Sequence, residues 1–139
     1  MTVLDISSAA LAQAKARLGP TQDRVTWIEA DVTGSWPVPH VDAWHDRAVF
    51  HFLTNDADRT AYIARLRAGL REGGTLVLAT FAPEGPEKCS GLPVMRYSPE
   101  TLGAVLGAEF RMVESIEERH STPWNTEQAF SYTRWRRGQ

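Results

Sequence analysis

Thr75-Leu76-Val77-Leu78-Ala79-Thr80-Phe81 is the stretch that decides the fold of this chain. Its apolar residues do not alternate with polar ones, which is typical of a strand covered on both faces in a parallel sheet. Before it, Asn55-Asp56-Ala57-Asp58 begins a helix with acids at the positive end of the dipole, and Gly73-Gly74 follows the predicted helix end. The stretch therefore predicts a helix that leads into a buried strand.

The residues on the N-terminal side predict the same alternation of strand and helix. Thr2-Val3-Leu4-Asp5-Ile6 predicts a strand, and Ser7-Ser8 then supplies the cap of a helix that stops at Gly19-Pro20. Residues 25–29 and 41–45 are rich in β-branched and aromatic side chains, and they predict two further strands.

The C-terminal side predicts a different pattern. Residues 82–97 contain three prolines and two glycines and predict a long loop, and Ser98-Pro99-Glu100 begins a short helix. Residues 110–118 and 128–136 alternate with period two, which indicates a final antiparallel pair whose last, arginine-rich strand lies at a sheet edge. The whole pattern predicts one partial domain over residues 1–139, of the α/β class, with a Rossmann-like open and mostly parallel sheet closed by an antiparallel strand pair.

Composition excludes several classes of protein. Fifteen basic and seventeen acidic side chains give a formal net charge of -2, and no long block of like charge indicates nucleic-acid binding. The single cysteine, Cys89, excludes an internal disulfide framework, and the four histidines lack a ligand spacing, so we expect no metal. No membrane span or signal peptide is predicted, and we expect a cytoplasmic protein.

Two acids follow neighbouring predicted strands. Asp5 ends the first strand, where a carboxylate can accept hydrogen bonds from both ribose hydroxyls of a nucleoside cofactor. Asp31 follows the strand over residues 25–29, where it can accept from an adenine amino group while the Val32 amide meets the ring. The alternatives are a helix-start acid at Asp5 and a turn aspartate at Asp31. Their matching positions favour a joint site.

A third candidate region is Trp44-His45-Asp46-Arg47-Ala48-Val49-Phe50-His51-Phe52. It places several ionisable groups together at a strand end, a density that indicates a functional site. The alternative is an Asp46–Arg47 ion pair that ties a loop, with Phe50 and Phe52 in the core and His51 as a satisfied polar residue.

These stretches, together with Leu70-Arg71-Glu72-Gly73-Gly74, resemble the successive motifs of class I S-adenosylmethionine-dependent methyltransferases of the small-molecule type. The resemblance runs over essentially the whole chain. It implies S-adenosylmethionine as the cofactor, with the ribose, the adenine and the methionine part contacted by Asp5, Ile6, Asp31, Val32, Asp46 and Arg47. It does not identify the methyl acceptor or a catalytic residue.

Residues on the acceptor side are sought in the loop over residues 82–97, because it follows the last parallel strand and can cover the crevice. The candidates are His51, Cys89, Arg96 and Tyr97. For Cys89 a buried or incidental thiol is the favoured alternative, since no sequence-adjacent histidine or basic helix end favours its reactive thiolate form.

The sequence departs from the family pattern at its N-terminus, since the family begins with a strand, a glycine-rich loop and a helix. That strand and loop are missing from this sequence, and we expect an N-terminally shortened methyltransferase. The expected function is methyl transfer to a small molecule, impaired by the missing motif. One alternative is a non-catalytic remnant that forms a homo-oligomer through an exposed sheet edge. Another is a nicotinamide-dependent enzyme, disfavoured by the closing antiparallel pair.

Overall fold

The computed structural model of the chain describes residues 1–89, 91–123 and 127–138. These residues form two compact units, residues 1–39 and residues 40–139, and each is described by itself. The single-domain organisation stays a prediction. No helix in the described part of the chain combines the length and the apolar character that crossing a membrane requires.

The first unit is a strand, a helix and a second strand. Its elements are β1 (Thr2–Asp5), α1 (Ser8–Leu18), a 3-10 helix (Gly19–Arg24) and β2 (Thr26–Glu29). The two strands are parallel and in register, with Asp5 opposite Glu29. Ser7 caps α1 as predicted, because its side chain accepts a hydrogen bond from the Ala10 amide at 3.1 Å.

The second unit contains a four-stranded mixed sheet, a two-stranded hairpin and two helices. Its elements are β3 (Val41–Arg47), α2 (Asp56–Gly69), β4 (Leu70–Phe81), β5 (Lys88–Cys89), β6 (Leu92–Pro93), α3 (Pro99–Leu106), β7 (Phe110–Ser121) and β8 (Glu127–Arg137). The sheet order is β3-β4-β8-β7, with β3 and β4 parallel and the other two pairings antiparallel. The predicted antiparallel pair is confirmed, and the sheet of this unit is mixed rather than mostly parallel.

The boundary between α2 and β4 differs from the prediction. Gly73-Gly74 was expected just after the helix, but α2 ends at Gly69 and the strand begins at Leu70. The extra residues form an irregularity, because Val41 pairs with Leu70 while Ala43 pairs with Thr75. Leu70 is buried and satisfies either a helix or a strand pattern, so periodicity alone cannot assign it.

The core of the second unit lies around the C-terminal half of β4. Leu76, Leu78, Ala79 and Phe81 are fully buried there, on both faces of the strand, as the unalternating sequence predicts. The expectation that the arginine-rich last strand lies at an edge is wrong. β8 lies between β4 and β7, so β7 rather than β8 forms this edge of the described sheet, and β3 forms the other.

Candidate functional site

Asp5 and Asp31 lie at the same end of the two-stranded sheet of the first unit. Asp5 is the last residue of β1, and Asp31 follows the last residue of β2 by two positions. The Ala30 amide donates to the Asp5 carbonyl at 3.1 Å, which holds the two strand ends together. The structure therefore brings these two predicted residues to one edge.

In each of these carboxylates one of the two oxygens accepts hydrogen bonds from nearby residues of the chain. Asp5 Oδ1 accepts from the Ser7 amide at 2.8 Å, and Asp31 Oδ1 accepts from the amide and the hydroxyl of Thr33 at 2.9 and 2.7 Å. These bonds are the helix-start and turn contacts of the alternative interpretation. The second oxygen of each carboxylate accepts no hydrogen bond from the described residues, so it is available to a ligand.

Ile6 and Val32 flank these two acids. The Ile6 side chain is 69% exposed, which is unusual for an isoleucine and leaves an apolar surface on which a flat ring can pack. The Val32 carbonyl accepts from the Trp36 indole at 2.9 Å, while its amide N–H has no partner in the described part of the chain. Both features suit the predicted contacts with an adenine ring.

In the second unit, Asp46 is buried and bonded entirely within its own chain. Its two oxygens accept from the amides of Val49 and Phe50 at 2.9 and 3.1 Å, and Oδ2 also accepts from the Tyr62 hydroxyl at 2.5 Å. Burial raises the pKa of the Asp46 carboxyl, and these hydrogen bonds partly offset it. The bonds span Ala48, whose φ of 66° lies in the left-handed region, so they hold a strained turn.

Arg47 lies on the exposed side of the same strand end. Its Nε donates to the Tyr132 hydroxyl at 3.0 Å, and its guanidinium lies 4.8 Å from the centre of the Phe130 ring. An Asp46–Arg47 ion pair, the alternative weighed from the sequence, is absent among the ion pairs of the described residues. Asp46 therefore shapes the turn, and Arg47 packs on β8.

His51 is fully buried in the short 3-10 helix Phe50–Phe52. Its Nδ1 accepts from the Phe81 amide at 3.1 Å, which places the proton of the neutral ring on Nε2. That Nε2 has no hydrogen-bond partner in the described structure. Burial lowers the pKa of His51 to about 4, so the imidazole is neutral at physiological pH.

Tyr97, one of the predicted acceptor-side residues, lines a pocket of the second unit. The pocket has a volume of about 300 Å³ and lies between the N-terminal half of α2, the segment before α3 and α3 itself. Its lining residues are Asp56, Arg59, Thr60, Ile63, Met95, Tyr97 and Val105. Sequence analysis missed Arg59, because a single arginine in a helix carries no local signal of a pocket.

The other two predicted acceptor-side residues have different surroundings. Cys89 packs against the buried cluster of Ala79, Phe81 and Phe130, in agreement with the favoured alternative of an incidental thiol. Arg96 donates to the Gly85 carbonyl at 3.2 Å and so ties the loop to itself. Neither lines the pocket that contains Tyr97.

The described residues hold no group of three or more histidine, cysteine, aspartate or glutamate side chains that is placed to bind a metal ion. The absence of a metal in the active protein stays a prediction from the sequence.

Comparison with solved structures finds methyltransferases of the same fold. The N-methyltransferase NodS from Bradyrhizobium japonicum superposes with a TM-score of 0.75 at 18% identity, over 99% of this chain and 73% of that chain. A second match is the 1,6-didemethyltoxoflavin N1-methyltransferase from Burkholderia thailandensis, solved with 1,6-didemethyltoxoflavin and S-adenosylhomocysteine. Its TM-score is 0.72 at 22% identity, over 99% of this chain and 61% of that chain. A methyltransferase from Methanosarcina mazei superposes with a TM-score of 0.73 at 13% identity, over 99% of this chain and 81% of that chain. This chain therefore spans less than two thirds of the Burkholderia enzyme.

At these identities the structural likeness establishes the fold, and it confirms the predicted α/β class. No curated protein matches the sequence significantly. The family model described as a methyltransferase domain matches residues 1–74, more than half of the 139 residues. This match confirms the family that the successive motifs resembled, the methyltransferases that use S-adenosylmethionine. The chain belongs to the methyltransferase domain family.

Proposed function

We propose that this chain binds S-adenosylmethionine through the ends of β1 and β2 and takes part in methyl transfer to a small-molecule acceptor. The proposal is supported by the family and by a neighbour, the N1-methyltransferase from Burkholderia thailandensis, which was solved with the small molecule 1,6-didemethyltoxoflavin and with S-adenosylhomocysteine. When bound, S-adenosylmethionine supplies an electrophilic methyl group on a sulfonium. Transfer requires chiefly that the two reactants be held in line, so the residues of the chain act by binding and orienting.

The observation that carries the proposal is the pair of half-engaged carboxylates at one edge of the first unit. Adjacent parallel strands lie about 4.8 Å apart, so Asp5 and Asp31 are spaced for two parts of one nucleoside. A ribose hydroxyl and an adenine amino group are both hydrogen-bond donors, and a carboxylate oxygen is the acceptor that suits them. The free oxygen on each acid is thus matched to a donor of the cofactor.

Ile6 and Val32 complete the proposed adenosine site. The exposed Ile6 side chain supplies apolar contact to the adenine face, and the unpartnered Val32 amide donates to a ring nitrogen. Contact of Asp46 and Arg47 with the methionine part stays a prediction, and the hydrogen bonds that Asp46 accepts from the Val49 and Phe50 amides give it a positioning role in its turn.

The test is a calorimetric titration of S-adenosylhomocysteine into the purified chain and three variants. Asp5→Asn and Asp31→Asn keep an oxygen for the local amide bond but remove the charge that the ligand hydrogen bonds require. Each is expected to weaken binding by roughly tenfold to a hundredfold, the worth of one charge-assisted hydrogen bond. Asp23→Asn, at an exposed position of the same unit, is the matched control and is expected to bind like the parent chain.

Equal binding by all four proteins would contradict the proposed site. Failure of every protein to bind, the parent included, would contradict cofactor binding by this chain and favour the non-catalytic alternative. That alternative predicts a stable oligomer, which light scattering coupled to size exclusion detects. A cytoplasmic location, a homo-oligomer formed through an exposed sheet edge and a lack of nucleic-acid partners stay predictions from the sequence.

A further inference from the structure

The pocket between α2 and α3 has an electrostatic character that the cofactor does not explain. Arg59 is anchored in it, with a side chain only 15% exposed and with Nη1 donating to the Leu53 carbonyl at 3.1 Å. A guanidinium carries five N–H donors in a planar fork, and such a buried, oriented cation is the usual partner of a carboxylate. We call this cavity the α2–α3 pocket.

The carboxylate that Arg59 contacts in the structure is held only weakly. Asp56 forms an ion pair with Arg59 across one helical turn, but its side chain is 96% exposed. An exposed pair of this kind is weak, since water solvates the carboxylate nearly as well. Asp56 can therefore turn into solvent and leave the Arg59 fork to a ligand.

Tyr97 provides a second, independent observation that points to a ligand. Tyr97 is 2% exposed, and its hydroxyl donates to no acceptor in the described part of the chain. Burial raises the pKa of Tyr97, and the nearby Arg59 guanidinium opposes this rise, so the phenol keeps its proton and lies beside the cation. A buried donor without an acceptor is unfavourable, and a ligand oxygen would satisfy it.

The remaining walls are mostly apolar. Ile63, Met95 and Val105 line them, and Thr60 adds one hydroxyl. A volume of about 300 Å³ is at the low end for ligand pockets, so it fits a molecule of about one ring. We propose that the α2–α3 pocket binds a small carboxylic acid with a compact apolar body, its carboxylate on Arg59 and Tyr97; that the methyl acceptor belongs to this class rests on the proposed function.

The pocket is connected to the strand ends of the second unit by three contacts. The Tyr97 amide donates to the carbonyl of Phe81, the last residue of β4, at 3.0 Å, and the Met95 amide donates to the His51 carbonyl at 2.7 Å. The Tyr97 and Phe50 rings also pack at 5.6 Å between centres. A ligand in the pocket thus lies on residues fixed by the carboxyl ends of β3 and β4, where open α/β sheets bind ligands.

The experiment titrates benzoate, benzamide and benzylamine into the isotopically labelled chain and follows the amide signals of residues 59–63 and 95–97 by NMR. Benzoate is expected to shift these signals saturably, while the uncharged and the cationic analogue bind at least tenfold more weakly. Arg59→Gln and Tyr97→Phe are each expected to weaken benzoate binding, roughly tenfold or more for the loss of the charged donor. Arg67→Gln, on the exposed face of the same helix and outside the pocket, is the control and is expected to bind like the parent.

Asp56→Asn is expected to change benzoate affinity in the opposite direction, and this variant tests whether the ligand is an anion or a cation. Removal of the competing carboxylate is expected to tighten benzoate binding several-fold. Preferential binding of benzylamine, lost in Asp56→Asn, would overturn the proposal in favour of a cation, and equal benzoate affinity in all variants would also overturn it. Circular dichroism checks that each variant folds, and the milder Arg59→Lys variant replaces Arg59→Gln if that one does not.

Titration of S-adenosylhomocysteine into the same samples separates this inference from the proposed function. Arg59-dependent benzoate binding without cofactor binding would support the pocket and contradict the function. Cofactor binding together with a benzoate affinity that is unchanged by the Arg59 and Tyr97 substitutions would support the proposed function and overturn the proposed ligand of the α2–α3 pocket.

Discussion

Acidification is expected to destabilise the folded chain through His51. The imidazole is fully buried, and burial lowers its pKa from 6.5 to about 4. In the unfolded chain the ring regains its ordinary pKa. Between about pH 6.5 and pH 4 the imidazole is therefore protonated in the unfolded state and neutral in the folded state. The free energy of unfolding therefore falls as the pH falls through this window, and above it His51 contributes no pH dependence.

The magnitude follows from the difference in pKa. Each pKa unit corresponds to about 1.4 kcal/mol, so a difference of 2.5 units corresponds to about 3 kcal/mol when the full window is crossed. The steepest slope is about 1.4 kcal/mol per pH unit. Asp46 acts in the opposite direction, because its pKa is raised and the folded state takes up its proton first.

The assay is urea unfolding at about pH 7, 6 and 5, for the parent chain and for His51→Asn. The asparagine oxygen can accept from the Phe81 amide as Nδ1 does, but it does not titrate, so the difference between the two slopes isolates His51. The parent is expected to lose about 2 kcal/mol more than the variant between pH 7 and 5. Parallel curves for the two proteins would refute the buried, neutral histidine.

Three further substitutions are expected to lower the free energy of unfolding, each measured by urea denaturation. Tyr62→Phe removes the hydroxyl that donates to the buried Asp46 carboxylate and should cost about 2 kcal/mol, whereas no loss would show that water replaces it. Gly74→Ala places a Cβ within 2.7 Å of Leu70 Cδ1 and should cost about 2 kcal/mol, unless β4 shifts freely. Ser98→Ala removes a capping box and should cost about 1 kcal/mol, and an unchanged midpoint would contradict the cap.

The features that the sequence predicted well are encoded within a few residues. Ser98-Pro99 fixes the start of α3, because a cap and a proline at the first helical position act within one turn. The period-two alternation of residues 110–118 and 128–136 likewise predicts the pairing of β7 with β8. Asp5 and Asp31 were located because strand ends in a parallel sheet share an edge, a rule of topology that needs no side-chain detail.

The features that escaped prediction depend on contacts between distant residues. The Tyr62 hydroxyl reaches Asp46 across sixteen positions, and it makes this candidate cofactor contact part of a buried network that supports a turn. The pocket around Arg59 exists only once α2, α3 and the segment before α3 have packed. The hairpin of β5 and β6 has two residues per strand, too few for any alternation to be visible.

The edge strand β7 has a consequence for the behaviour of the protein at high concentration. Every residue from Arg111 to Ser121 is exposed, and β8 pairs with one side of the strand, so the other side has no strand partner among the described residues. Such an edge can pair with a strand of another chain. Charged residues lie along β7, among them Glu117, Glu118 and Arg119, and charges on an edge strand are expected to disfavour that pairing.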